Sequence, residues 1–255
     1  MFSDKLKIKL NQSFRLFGSA VDEIYKKHDQ KAVDERESLI NRLSKIPVTE
    51  VIQLTKSNER LLPIKEERQL NMDGQTISWF AVAELRNRKG EADKTILLKA
   101  LQEPKKYDKH YVLYCLGFLC SHTQDKALFS FLMQELAPPQ DKDLVTTALI
   151  GLRNFIITPE LNIETLLHYA QIKNNNSLRV QAIHALCFCQ HPGMEDFFLD
   201  MLKGASNHIR DIIMSPLETV ATKKSKPILE QMYKRTRDYG LRSNIERILA
   251  KIDHN

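Results

Sequence analysis

Cys187, Cys189 and His191 fall within five residues, and His184 precedes the first thiol by about one helical turn. Thiolate and imidazole are the ligands of tetrahedral zinc, which takes four of them at about 2.0–2.3 Å. The spacing works against a shared ion. On a helix, residues 187 and 189 point to different sides, and His191 falls at the end, ahead of Pro192. The other two cysteines, Cys115 and Cys120, lie far upstream. All four read as buried free thiols in a reducing compartment, and neither a metal nor a cofactor is expected.

Catalytic motifs were sought by their mechanics. The chain has no Gly-x-x-x-x-Gly-Lys phosphate loop, no Gly-x-Gly-x-x-Gly, no Gly-x-Ser-x-Gly and no His-Glu-x-x-His. No catalytic residue is assigned. Charge is concentrated instead: residues 221–251 carry nine Lys or Arg against Glu230, Asp238 and Glu246, a surplus of six that equals the net charge of the whole chain, +6. Within it Lys223, Lys224, Lys226, Arg235 and Arg237 form a basic C-terminal patch. Such a patch attracts an anionic partner, or else is the polar outer face of a terminal capping unit. Only Tyr233 and Tyr239 are interleaved there, too few aromatic platforms for single-strand stacking.

The elements that must position these residues are announced by six leucines: Leu85, Leu119, Leu152, Leu186, Leu217 and Leu249, at intervals of 34, 33, 34, 31 and 32 residues. Four residues before each stand Ala81, Cys115, Ala148, Ala182, Ile213 and Ile245. Eight before stand Ile77, Tyr111, Leu144, Leu178, Ile209 and Leu241. Positions i, i+4 and i+8 share one helix stripe, so each unit opens with a helix of apolar inner face. A second apolar run follows each of the first five: Ile96 to Leu101, Leu128 to Leu136, Ile163 to Ala170, Phe197 to Leu202, and Ile228 to Tyr233. A single hairpin cannot bury its apolar face, whereas a stack shares one continuous core.

The segments 176–186 and 208–217, with Arg179, Arg210 and Arg242 each seven residues before the column leucine, resemble the first helix of HEAT repeats of the short variety. Ser78, Val112 and Val145 replace that arginine in the earlier units, so the likeness is strongest over 176–253 and only periodic over 73–173. The resemblance implies an all-α, right-handed, armadillo-like superhelical solenoid of five to six hairpins, with second helices lining the concave side and the arginine bracing neighbouring repeats. Few glycines and prolines, 8 and 9 in 255 residues, agree with a helical fold.

Two regions follow: an N-terminal helical cap and joint over 1–72, and the repeat array over 73–255. Leu6, Leu10, Phe14, Phe17, Val21 and Ile24 make the stripe of a long amphipathic helix. It caps the first hairpin, pairs with a second copy as a homodimer, or lies on anionic lipid through Lys5, Lys7, Lys9 and Arg15, although Asp22 and Glu23 oppose the last. A second helix over roughly 31–45 ends before Pro47. Short helices and a joint should follow, with the charge run Lys65 to Arg68 solvated. With neither a secretory signal nor an apolar run long enough to span a bilayer, a cytoplasmic protein is expected.

Aligning the second helices gives a ladder: Lys99, Gln134, His168, Asp200 and Gln231, and three residues on, Gln102, Ala137, Gln171, Lys203 and Lys234. A groove built for a phosphate backbone should be more uniformly basic. The mixed ladder predicts a non-catalytic scaffold or adaptor binding a protein partner on the concave face. The alternative is nucleic-acid binding, or a DNA glycosylase of the HEAT-like class. Alkylpurine DNA glycosylases are similar in length and basic character and hold duplex DNA on the concave surface, with aromatic side chains and a carboxylate around the lesion. Here Asp200 and His168 would serve, but Trp79 is the single tryptophan.

Overall fold

The computed structural model describes residues 27–63 and 75–254. The Leu6-to-Ile24 stripe, the dimer expected through it and the Lys65-to-Arg68 run lie outside the described residues. Thirteen helices and no strand occur among those described, so the fold is all-α. No described helix is long and apolar enough to cross a membrane. Two isolated backbone bridges, Arg60 with Thr76 and Ile157 with Cys189, tie loops together.

Two compact units divide at Glu84/Leu85. The physical reason is where the first column residue packs. In the first unit, α1 (27–43) leads through Pro47 into α2 (Val48–Leu54), and the chain then pairs with the segment before α3 (Ile77–Leu85). Leu61 N donates to Gln75 O at 2.9 Å and Ile77 N to Glu59 O at 2.8 Å. Ile77 and Phe80 thereby join Leu39, Leu43 and Leu61 in one small core.

The second unit holds α4 (Glu91–Ala100), α5 (Lys109–Thr123), α6 (Lys126–Glu135), α7 (Lys142–Gly151), α8 (Glu164–Gln171), α9 (Asn176–Ala185), α10 (Met194–Leu202), α11 (Asn207–Val220), α12 (Lys226–Arg235) and α13 (Tyr239–His254). Five helices begin at a side-chain cap placed eleven residues before a column leucine. Asp108, Asp141, Asn175, Ser206 and Asp238 accept from backbone N–H groups of the first turn of α5, α7, α9, α11 and α13. Each satisfies donors that the helix start would leave orphaned.

These five helices form a continuous row, α5 on α7, α7 on α9, α9 on α11 and α11 on α13. Small residues set its closeness. Gly117 of α5 and Gly151 of α7 meet so tightly that a Cβ on Gly151 would stand 2.5 Å from Phe118 N. The second helices meet one another less closely: α6 touches α8, but otherwise they pack against a first helix, α4 and α6 on α5, α8 on α9, α10 on α11 and α12 on α13.

Hydrogen bonds link helices of successive hairpins. Cys115 Sγ donates to Leu85 O (3.2 Å), Ser121 Oγ to Gly151 O (2.6 Å), Tyr169 OH to Leu136 O (2.8 Å), Thr219 Oγ1 to Cys187 O (2.9 Å) and Lys251 Nζ to Glu218 O (2.6 Å), over 30 to 33 residues. The column residues are buried except at two places. Tyr111 is half-buried because Val112 takes the inward position, and Leu249 is half-buried beside the fully buried Ile248. A helix turned by one residue keeps its stripe but changes the side chain at its centre.

Candidate functional site

The ladder stands on the row of second helices. Lys99, Gln102, Gln134, His168, Gln171, Asp200, Lys203, Gln231 and Lys234 are all exposed. Their inward neighbours explain this, since Leu97, Leu132, Leu166, Leu199 and Leu229 take the buried face of the same helices. Asp200 and Lys203 pair with each other at 2.6 Å, one helical turn apart.

Clefts open between these helices. One, about 430 Å³, lies where the segment entering α8 faces the start of α10, lined by Leu161, Ile163, Leu167 and Phe197, with Glu160 and His191 at its edge. Glu160 is held by Lys126 at 2.6 Å, which keeps its carboxyl down at about 2. The other, about 380 Å³, opens between α10 and α12 and brings together ladder and basic patch. Leu199, Leu202, Ile228 and Met232 supply apolar walls; Arg210, Arg235 and Arg237 supply positive charge, Lys203 at the rim is held by Asp200, and no acid lines it.

Tertiary structure divides the basic patch. Lys224 is neutralised by Asp196 and Lys226 by Asp253, each carboxylate raising the lysine's pKa. Lys223 is exposed. Arg235 and Arg237 turn to the cleft, where neither guanidinium has a hydrogen bond or ion pair among the described residues. A half-buried carboxylate ties α10 to the segment ahead of α12. Glu195 of α10 accepts from Thr222 N (2.8 Å), Thr222 Oγ1 (2.9 Å) and the buried Ser225 Oγ (2.6 Å) ahead of α12. Burial pushes its pKa up, but these hydrogen bonds outweigh it and hold the carboxyl below its usual range.

Arg210 is the cleft residue that pattern missed. The three column arginines do different things. Arg179 Nε donates to Ala170 O at 3.1 Å, bracing α9 on α8, and Arg242 stacks 4.5 Å over the Tyr233 ring. Where α12 has Tyr233, α10 has Leu202, which offers no aromatic face. Arg210 Nε is buried with no partner, and its guanidinium borders the cleft. Its place seven residues before the column leucine is the same as that of Arg179 and Arg242, so the sequence pattern does not set it apart.

The cysteines and aromatics are engaged elsewhere. Cys187 and Cys189 lie beyond the end of α9, not on it, with Cys187 Sγ near Ile183 O and Ser215 Oγ; burial raises the pKa of both thiols. Cys115, Cys120, Cys187 and Cys189 are all buried, and none forms a disulfide among the described residues. Tyr233 OH bonds Glu246 while Arg242 covers its ring. His168 stands outside both clefts and packs edge-on to Tyr169 at 5.2 Å. No family model, curated protein or solved structure matches this chain.

Proposed function

We propose that the chain is a right-handed solenoid of five to six HEAT-like hairpins acting as a non-catalytic protein-interaction scaffold, with its partner along the second-helix row that the family likeness makes concave. The recurring caps support the architecture, because each stands eleven residues before a column leucine at the start of its helix. The interaction role is carried by the second helices, whose clefts combine apolar walls with exposed polar side chains. A partner that fills such clefts gains both hydrophobic burial and hydrogen bonds.

Affinity purification from the native cell with two full-length variants tests it: D200K/K203D, which keeps the surface pair but reverses the field, and Q134E/H168E/Q171E in the middle of the row. Loss of a co-purifying protein in either supports the surface. Undiminished capture by both overturns it. Nucleic-acid binding is the second reading, favoured by the unpaired arginines of the cleft; it predicts affinity falling steeply with salt in a mobility-shift titration. Glycosylase chemistry has less support, since Asp200 is engaged by Lys203.

A further inference from the structure

The cleft between α10 and α12 has a composition that selects its ligand. Hydrophobic walls alone would take any apolar side chain, and arginines alone would take any anion. Together they demand a ligand carrying both within a few ångströms. Arg210, Arg235 and Arg237 have no hydrogen bond or ion pair among the described residues, so their donors are uncommitted, and no lining carboxylate competes for them. The buried Nε of Arg210 is an unpaid desolvation that an incoming acceptor would relieve. Lys203 also reaches the rim, but Asp200 holds it at 2.6 Å, so the uncommitted positive charge belongs to the three arginines.

We propose that this cleft binds an acidic peptide segment of a partner protein, an aliphatic or aromatic side chain entering between Leu199, Leu202, Ile228 and Met232 while flanking Asp or Glu carboxylates pair with Arg210, Arg235 and Arg237. This rests on the second-helix row being a protein-binding surface and names the chemistry recognised there. A planar guanidinium takes a carboxylate through two parallel N–H donors, which gives the site geometric as well as electrostatic selectivity. A volume of about 380 Å³ suits one or two side chains, so the cleft reads a short motif rather than a folded surface. Nucleic acid fits less well: the apolar walls offer a phosphate nothing, and no aromatic side chain lines the cleft to stack a base.

Fluorescence anisotropy with the full chain tests this, using labelled twelve-residue peptides: one set with Leu or Phe flanked by two Glu on each side, a second with Gln for every Glu, a third with Ser for the apolar residue. The acidic-apolar peptides should bind, with Gln or Ser replacement weakening them about tenfold or more, as losing charge-assisted hydrogen bonds or a buried apolar side chain requires. R235Q/R237Q and R210M should each weaken the acidic-apolar peptides by a similar factor, whereas K142Q/K173Q, distant from the cleft, should not. Thermal unfolding of each variant separates lost binding from lost folding. Absence of binding up to 1 mM, equal binding of the Gln peptides, or wild-type affinity in R235Q/R237Q would overturn the proposal, as would a duplex DNA that competes more strongly than the peptide. Peptide failure with ladder-dependent capture intact sinks the cleft alone; unaffected capture in the ladder variants sinks the scaffold reading on which it rests.

Discussion

Replacing Gly151 with Ala probes the closest helix contact in the molecule's second unit. The added Cβ would lie 2.5 Å from Phe118 N, 2.7 Å from Gly117 C and 2.9 Å from Gly117 Cα, all backbone atoms of α5. No side chain can swing aside, so α5 and α7 must separate by about 1 Å to restore ordinary contact. The Ser121 Oγ to Gly151 O hydrogen bond, now 2.6 Å, stretches with them. Overpacking of this kind costs about 1–3 kcal/mol. Alanine's better helix propensity returns at most about 1 kcal/mol, less here because Gly151 is the last residue of α7. The net expectation is a loss of about 2 kcal/mol, or about 4–8 °C in Tm for a chain of this size. Circular dichroism at 222 nm through a thermal scan reads it, with G240A as control: there the Cβ meets only the Asp238 side chain at 3.4 Å, and stability should stay within about 0.5 kcal/mol. An unchanged or raised Tm for G151A would refute the reasoning that backbone approach at this crossing determines how closely the first row packs.

Three further outcomes follow from named contacts. E195A leaves the buried Ser225 hydroxyl and Thr222 N–H without their acceptor and should cost about 1–3 kcal/mol. Because the folded pKa of Glu195 is depressed, its contribution is present above the unfolded value of about 4.3 and lost as pH falls through the folded pKa; urea midpoints at pH 7 and pH 3 should therefore differ less in E195Q than in the wild type. R179M, which removes the bond to Ala170 O, should destabilise by about 1 kcal/mol, whereas R210M, whose Nε has no partner to lose, should be neutral or slightly stabilising in the same denaturation assay. All four thiols should resist a thiol reagent at pH 8 until urea unfolds the chain, since burial excludes the reagent and raises the pKa of Cys120, Cys187 and Cys189; rapid labelling of any of them in the folded protein would contradict their placement.

What the amino-acid order determined is which side chains face inward. Apolar spacing of four and eight residues before each leucine is a property of one helix, so Ala148, Ala182, Ile213 and Ile245 could be placed in the core without any partner in view. The caps are equally local, since Asp108, Asp141, Asn175, Ser206 and Asp238 accept from N–H groups of their own first turns at a fixed offset from the column leucine. Tertiary structure decided everything that depends on distance between helices. It neutralised Lys224 and Lys226 with Asp196 and Asp253, left Arg235 and Arg237 unpaired, and set Arg210 at the cleft with no partner for its Nε. Charge pairing and cavity shape are pairwise quantities between residues some thirty positions apart, and a one-dimensional pattern carries no record of them.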